Sequence, residues 1–493
     1  MPGKSDPRPS RSSSGEHRRA GWWLCATFAC LYAVSMVRVD FDFAIDGAMR
    51  YETLHFLVAH GMVTIPGLAQ HDDKFFIGAS LAMAPLYLAG RLVQSVTGSA
   101  TDWPLELCLF FYQIVSALGC LVMFRVCAAL SGRPRAALGV AALYGLGSMV
   151  WPYAVDTQSE PLVATSLLAS FHFLVHFRQD GRARRLVWAG LCLALAMLTR
   201  PEAGIHGVAL GGYLLYALHA RATAMRPALA GASVFVGTAA LGPVGALLWN
   251  LARYGSAWET GYGGETFATP LALGLYGQLF SAGKGVFFYN PILAVALFGW
   301  PGFRRARTAE AATAFVIIAL GLVTYAKFWN WAGDASWGPR FLVTVLPFAT
   351  LPIAWAPWAS WGMAARGTAL AVAALSFWVQ ALGVFVPIRP DYAYKWDRQQ
   401  AAVERSLVIG PDDNVLIHFL PSYSPLWKHL EGFEGLRSSL RWFPYALDEG
   451  RSATPVGLTL IALLAVSGAM LARSARRLNG PRANAAAATD ESA

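Results

Sequence analysis

The feature that most constrains this chain is a succession of long apolar segments. Runs of roughly 16 to 25 apolar residues recur along the chain, and about 20 such residues span the hydrocarbon core of a bilayer as a helix. Only 14% of the 493 residues are charged, whereas a soluble globular protein carries about 25%. The sequence therefore predicts an all-α polytopic membrane protein.

The arginine clusters between these segments predict its orientation, because cytoplasmic loops are enriched in arginine and lysine. If the basic amino-terminal tail is cytoplasmic, the loops "SGRPR", "RQDGRARR" and "RRAR" all fall on the same side. This alternation holds for a bundle of about twelve transmembrane helices. It also requires residues 76–97 to form an interfacial helix on the outer side instead of a span.

The predicted organisation has five parts. These are a disordered basic cytoplasmic tail (1–19), a transmembrane region (20–388), a small extracytoplasmic region (389–452), a last transmembrane helix (453–472) and a second cytoplasmic tail (473–493). Within the transmembrane region, residues 39–75 form the first extracytoplasmic loop, and the interfacial helix follows it.

Charge and cysteine usage argue against two other classes of protein. The net charge is +10, but the arginines are distributed among short loops, whereas a nucleic-acid-binding protein gathers them on one surface. We therefore expect no nucleic-acid partner. All six cysteines lie within apolar segments without paired Cys/His spacings, so neither a disulfide framework nor a structural metal site is predicted.

The first outer loop carries an unusual concentration of carboxylates. In "MVRVDFDFAIDGAMRYETLHFLVAHGMV", residues 36–63, Asp40, Asp42 and Asp46 follow the first predicted span. Residues 46–62 have helical periodicity, with an apolar stripe beginning at Tyr51 and a polar face beginning at Asp46. Asp46 then lies in the first helical turn, where a carboxylate suits the macrodipole. It is either a functional group or only a helix cap.

Several motifs together resemble a known superfamily. The acidic helix ends in "HG", a basic residue precedes "FFIGASLAMAPLYLAGRL", and "GLCLALAMLTRPEAG" follows later. This order resembles the GT-C superfamily of polyprenyl-phosphate-sugar-dependent glycosyltransferases, which includes protein O-mannosyltransferases and lipid A aminoarabinose transferases. The segments "TGYGGETFATPLALGLYG", "FSAGKGVFFYNPILAVALFG" and "YAKFWNWAGDASWGPRFL" extend the resemblance over residues 20–350.

The resemblance implies a GT-C-like bundle with its active site on the extracytoplasmic face of the plasma (inner) membrane. The enzyme would move a sugar from a polyprenyl-phosphate donor to a hydroxyl or amine of a lipid, glycan or protein acceptor, with inversion. Asp46 matches the position of the catalytic carboxylate and would act as general base. Asp40 and Asp42 are the reserve candidates, and their D-x-D spacing also makes them weak candidates for a divalent metal site.

Two further groups of outer residues are candidates for substrate contacts. The candidates for the donor phosphate, where negative charge develops, are Lys74, Lys284 and Arg340. The candidates for acceptor or sugar contacts are Arg50, Asp156, Glu160, Trp331, Asp334 and Trp337. The alternatives are basic side chains that extend to ordinary lipid headgroups, acidic helix caps, and an interfacial belt of aromatic residues. Glu202 beside Arg200 is predicted to form a structural ion pair.

Two other functions remain open from the sequence. A transporter or lipid flippase would also have about twelve spans, but such proteins usually show an internal repeat and charges at mid-membrane. The two halves of this chain have no convincing similarity, and its charges cluster at the outer rim. The other alternative is a non-catalytic assembly factor with a degenerate site.

Overall fold

The computed structural model describes residues 11–36, 45–67, 74–263, 265–333, 336–386, 418–419, 421, 424–431 and 453–478. Every regular element within these ranges is helical. The helices are α1 (Arg11–Val34), α2 (Ile45–His60), α3 (Gly78–Thr97), α4 (Trp103–Cys108), α5 (Phe111–Ser131), α6 (Pro134–Leu146), α7 (Val150–Val155), α8 (Glu160–Asp180), α9 (Arg184–Thr199), α10 (His206–Ala220), α11 (Met225–Ala239), α12 (Leu241–Tyr254), α13 (Leu271–Phe280), α14 (Val286–Tyr289), α15 (Leu293–Ala306), α16 (Thr308–Lys327), α17 (Leu346–Thr350), α18 (Met363–Phe385), α19 (Pro425–Glu431) and α20 (Ala453–Arg477). Short 3₁₀ turns cover Pro201–Ile205, Arg340–Val345 and Leu351–Trp355.

Six helical segments of the described chain are long and apolar enough to cross a membrane. They are Trp103–Ser131, Glu160–Asp180, Met225–Tyr254, Thr308–Lys327, Met363–Phe385 and Leu458–Arg477. The all-α membrane fold is thereby confirmed, and within the described residues six of the about twelve predicted spans meet this criterion. The segments containing α5 and α8 are 72% and 78% buried, whereas α20 is 6% buried. The core is therefore built around α5 and α8.

One apolar segment is broken inside the bundle. Residues 136–154 form parts of two helices, α6 and α7. Between these helices the backbone N–H of Met149 donates to the side-chain oxygen of Asn290 at 2.8 Å. Ser376 accepts from the backbone of Ile292 at 2.6 Å, next to a second break between α14 and α15. Asn290 and Ser376 are fully buried. These side chains satisfy backbone groups that a helix break would otherwise leave unpaired in an apolar interior.

The arginine-rich loops meet at one end of the bundle. Arg135, in "SGRPR", donates to a backbone carbonyl near the end of α20 at 3.4 Å. Arg307, in "RRAR", donates to the carbonyl of Leu130 at 2.8 Å, and Arg178 at the end of α8 pairs with Glu310 at the start of α16. The first turns of α2 and α8 lie at the opposite end. This two-ended distribution agrees with the alternation predicted from the sequence.

The helix that follows the predicted first extracytoplasmic loop packs tightly against the bundle. The interfacial helix predicted over 76–97 is α3, and its first residue, Gly78, is buried against α9. A methyl group at Gly78 would overlap the backbone of Leu198 and Thr199. Ser80 donates to the backbone carbonyl of Arg50 at 2.8 Å, so α3 also holds the first turns of α2.

We expect Gly78→Ala to lower the stability of the protein. Because the added methyl group meets backbone atoms, it should cost about 1–3 kcal/mol, measured as a lower midpoint of thermal unfolding in detergent. Gly139→Ala in α6 is the control, since nothing lies within 4 Å of its added methyl group. A Gly78→Ala protein that unfolds at the same temperature as the control would contradict the close approach of α3 to α9.

Candidate active site

Six charged side chains converge at the end of the bundle opposite the arginine-rich loops. We call them the charged network, and they are Asp46, Arg50, Glu160, Arg200, Glu202 and Arg340. Five of them lie within one turn of the point where a helix or a 3₁₀ turn begins or ends, and Arg50 lies in the second turn of α2. The sequence therefore places most of these side chains near a segment boundary, and the packing of the helices brings them together.

Arg200 joins two carboxylates at the centre of the charged network. Its guanidinium lies 2.7 Å from Glu160 Oε1 and 2.7 Å from Glu202 Oε1. Burial alone would raise the pKa of the Glu202 carboxyl, but Arg200 and the hydrogen bond that it donates hold that pKa below its ordinary value. The pKa of Arg200 is raised well above its ordinary value, since the two carboxylates outweigh the effect of burial. Glu202 thus forms the predicted ion pair.

Arg340 lies between both acidic ends of the charged network. Its Nη1 is 3.9 Å from Asp46 Oδ2, and its Nε is 3.7 Å from Glu160 Oε1. Nη1 also donates to Gln158 Oε1 at 3.4 Å, and the guanidinium lies 4.9 Å from the centre of the Phe341 ring. These distances are longer than those around Arg200. Arg340 thereby connects the start of α2 to the start of α8.

Asp46 is a partly exposed carboxylate at the edge of the charged network. Its side chain is 25% exposed, whereas that of Glu160 is fully buried. It pairs with Arg50 at 3.6 Å, and Arg50 donates to the carbonyl of Thr157 at 3.1 Å and lies over the Phe75 ring at 4.5 Å. Arg50 thereby connects the first turns of α2 to the turn before α8, leaving Asp46 accessible beside two guanidinium groups.

Lys74 lies at the border of this site. Its ammonium pairs with Glu265 at 2.9 Å and is 4.9 Å from the centre of the Tyr262 ring. The adjacent Phe75 carries the Arg50 guanidinium on its ring. The Lys74 side chain is 38% exposed. A partly exposed cation next to the charged network is suited to a phosphate group.

The third predicted phosphate ligand, Lys284, has a different environment. It is fully buried, and its ammonium donates to the backbone carbonyls of Ser336 and Gly338 at 2.6 and 3.2 Å. The segment 336–339 leads directly into Arg340. Lys284 therefore braces the turn that delivers Arg340 to the site.

The two predicted tryptophan contacts are also packed inside the protein. Trp331 is 1% exposed and Trp337 is 2% exposed. Trp331 contacts the ring of His418 with centroids 5.7 Å apart, and Trp337 contacts His429 at 4.7 Å. The two tryptophan rings thus pack against His418 and His429, two described residues of the segment predicted over 389–452. This environment favours packing over sugar stacking.

Four other residues predicted for the site are Asp156, Asp40, Asp42 and Asp334. Asp156 is 9% exposed and accepts from the backbone N–H of Thr157 at 2.8 Å, as expected for a turn cap. Asp40, Asp42 and Asp334 lie outside the described residues. Within the described part of the chain, no group of three or more His, Cys, Asp or Glu side chains is arranged to hold a metal ion.

Sequence reasoning missed two members of the site. The sequence predicts Arg200 only as the partner of Glu202, but in the structure Arg200 also binds Glu160 from a different helix. No sequence motif indicates Gln158, whose side chain contacts Arg340. The position of Arg200 directly after an apolar run was a usable signal, because a charge at a span boundary needs a partner.

The fold and the charged network define a polytopic membrane protein with a charged site at one end of its helix bundle. Residues 83–246, about a third of the chain from α3 into α12, match the family model described as dolichyl-phosphate-mannose-protein mannosyltransferase. This match agrees with the resemblance of the sequence to the GT-C superfamily of polyprenyl-phosphate-sugar-dependent glycosyltransferases, and it does not favour the transporter alternative.

Two solved structures of ArnT from Cupriavidus metallidurans are similar to the chain. The structure bound to undecaprenyl phosphate is 14% identical with a TM-score of 0.47, and the apo structure is 16% identical with a TM-score of 0.44. Each match covers 82% of this chain and 75% of the ArnT chain. No curated protein matches the sequence.

We expect Lys284→Met to destabilise the protein. The substitution keeps the length of the side chain but leaves two buried carbonyls without their donor, which should cost about 2–4 kcal/mol. The thermal unfolding midpoint measures this loss. Lys327→Met is the control, because Lys327 is partly exposed at the end of α16. Unchanged stability in Lys284→Met would argue against the bracing role.

Proposed function

We propose that the chain transfers a sugar from a polyprenyl-phosphate donor to a hydroxyl or amine of an acceptor at the extracytoplasmic face of the plasma (inner) membrane. The observation that carries this proposal is the position of Asp46 beside Arg340. A partly exposed carboxylate and a phosphate-binding guanidinium are the two groups that such a transfer needs next to each other.

In the proposed reaction, Asp46 accepts the proton of the acceptor hydroxyl or amine. The acceptor oxygen or nitrogen forms a bond to the anomeric carbon while the bond from that carbon to the phosphate oxygen breaks. The electron pair of the broken bond stays on the phosphate, where Arg340 and Lys74 stabilise the added charge. A single displacement of this kind inverts the anomeric configuration.

The proposed location follows from the two ends of the bundle. The loops around Arg135, Arg178 and Arg307 meet at one end, and arginine-rich loops stay in the cytoplasm. The charged network lies at the other end and would then face the extracytoplasmic side. Membrane lipids surround the bundle, and the donor would approach along them.

The extracytoplasmic region predicted over 389–452 is proposed to help select the acceptor. Its described residues return to the end of the bundle that carries the site: His418 accepts from the backbone N–H of Gly283 at 2.8 Å, and Ser424 donates to the carbonyl of Ala282 at 2.7 Å. These contacts lie next to Lys284, which braces the turn before Arg340. The region is thus attached close to the proposed reaction centre.

We expect Asp46→Asn to reduce turnover by at least about 100-fold, since loss of a general base typically costs 10²–10⁴-fold. The measurement is the release of polyprenyl phosphate from a panel of polyprenyl-phosphate sugars by protein in nanodiscs. Asp180→Asn is the control, because Asp180 pairs with Arg185 at the opposite end of the bundle.

Full turnover by Asp46→Asn would exclude Asp46 as the base and transfer that role to Asp40 or Asp42. In that case chelator sensitivity would test whether this D-x-D pair holds a divalent metal. An absence of release with every donor in the wild-type protein would contradict the proposed function itself.

We expect Arg340→Gln to raise the donor KM and lower kcat, each by about tenfold or more, because the guanidinium contacts the phosphate before and during bond breakage. Arg226→Gln is the matched control, since Arg226 is exposed at the start of α11. A normal kcat and KM in Arg340→Gln would remove this residue from the phosphate site and leave Lys74 as its candidate cation.

A further inference from the structure

We propose that Glu160 is a positioning residue that competes with the phosphate for Arg340 and thereby weakens the binding of the polyprenyl phosphate product. The inference rests on the proposed function and adds to it a means of product release. It assigns Glu160 a role behind the phosphate site, in place of the direct acceptor contact predicted from the sequence.

The first observation is an incompletely used carboxylate. Glu160 is fully buried, and its Oε1 receives both Arg200 at 2.7 Å and Arg340 at 3.7 Å. No group in the described part of the chain donates to its Oε2, which is also buried. A carboxylate offers about four acceptor positions, and a buried oxygen without a donor is costly. Glu160 can therefore accept a further donor from the neighbouring guanidinium.

The second observation is the difference between the two arginines. Arg200 forms two contacts of 2.7 Å to carboxylates, whereas Arg340 lies 3.4 to 3.9 Å from Gln158, Glu160 and Asp46. The contact between Arg340 and Glu160, at 3.7 Å, is thus longer than a hydrogen bond and can shorten if the guanidinium shifts towards the carboxylate. The planar fork of an arginine fits a carboxylate or a phosphate equally well in two-point contact.

These observations have a direct consequence for the two phosphate-containing lipids. The donor is a phosphodiester with one negative charge, and the product is a phosphomonoester with a charge of about −1.5 to −2 at pH 7. Arg340 alone would hold the product more tightly than the donor and slow its release. Glu160 opposes this in two ways, because it attracts Arg340 and repels the phosphate, and the repulsion grows with the charge of the phosphate.

The test is the binding of polyprenyl phosphate to the full-length protein in nanodiscs, with polyprenyl alcohol as the ligand without phosphate. We expect Glu160→Gln to bind polyprenyl phosphate about tenfold more tightly and the donor less than about threefold more tightly. The substitution removes a repulsion that is larger for the phosphate with the larger charge. Binding of the alcohol should stay the same. A purely structural role for Glu160 would weaken the binding of both phosphate lipids.

The matched control is Asp180→Asn. It also removes a carboxylate that pairs with an arginine, Arg185 at 2.7 Å, but this pair lies at the opposite end of the bundle. We expect its affinity for polyprenyl phosphate to stay within about twofold of the wild type, since a distant charge is largely screened. Equal tightening in both variants would indicate a general field effect and overturn the inference.

A second variant tests the same competition without removing the buried carboxylate. Gln158→Glu places an additional negative charge at a side chain that already contacts Arg340 at 3.4 Å. We expect it to weaken the binding of polyprenyl phosphate several-fold. In the Arg340→Gln background, neither Glu160→Gln nor Gln158→Glu should change that binding by more than about twofold, since the contested guanidinium is absent.

Unchanged or weaker product binding in a folded Glu160→Gln protein, together with wild-type affinity in Gln158→Glu, would overturn the inference and leave the proposed function in place. If neither the wild type nor any variant bound polyprenyl phosphate, both the inference and the proposed function would fail. The two failures are thus distinguishable in one set of measurements.

Discussion

The burial of the Glu160 carboxylate is the constraint on which the rest of the site depends. A charged group at this depth is tolerated only with a close partner of opposite charge, and Arg200 provides that partner at 2.7 Å. Glu160 begins α8, Arg200 follows α9, and Arg340 begins a later 3₁₀ turn. Because Arg200 and Arg340 both contact Glu160, the ends of three separate segments converge, and this convergence creates the charged network.

The two carboxylates beside Arg340 differ in exposure, and this difference suits them to different roles. Glu160 is enclosed and acts on its arginine neighbours, whereas Asp46 remains partly exposed at the edge. The proposed transfer needs an accessible base, whereas the largely buried guanidinium groups need a buried counter-ion. Placing these roles on two residues joined by Arg340 allows each to be adjusted separately.

Buried polar groups elsewhere in the bundle support this arrangement. Asn290 and Ser376 satisfy backbone groups at two helix breaks, and Lys284 binds the carbonyls of the turn that ends at Arg340. In an apolar interior each unpaired backbone group is costly. These side chains therefore stabilise the irregular segments that lead to the site.

The membrane architecture, the separation of the two ends, and the position of Asp46, Glu160 and Arg340 at segment boundaries can be predicted from the amino-acid sequence. Hydropathy, charge bias and helix starts are local properties, so they can be recognised along the chain. The contact of Arg200 with Glu160, the role of Lys284 in bracing a turn, and the burial of Trp331 and Trp337 become visible in the folded chain alone. The burial and partners of a side chain depend on which distant segments pack around it, and no local pattern records that packing.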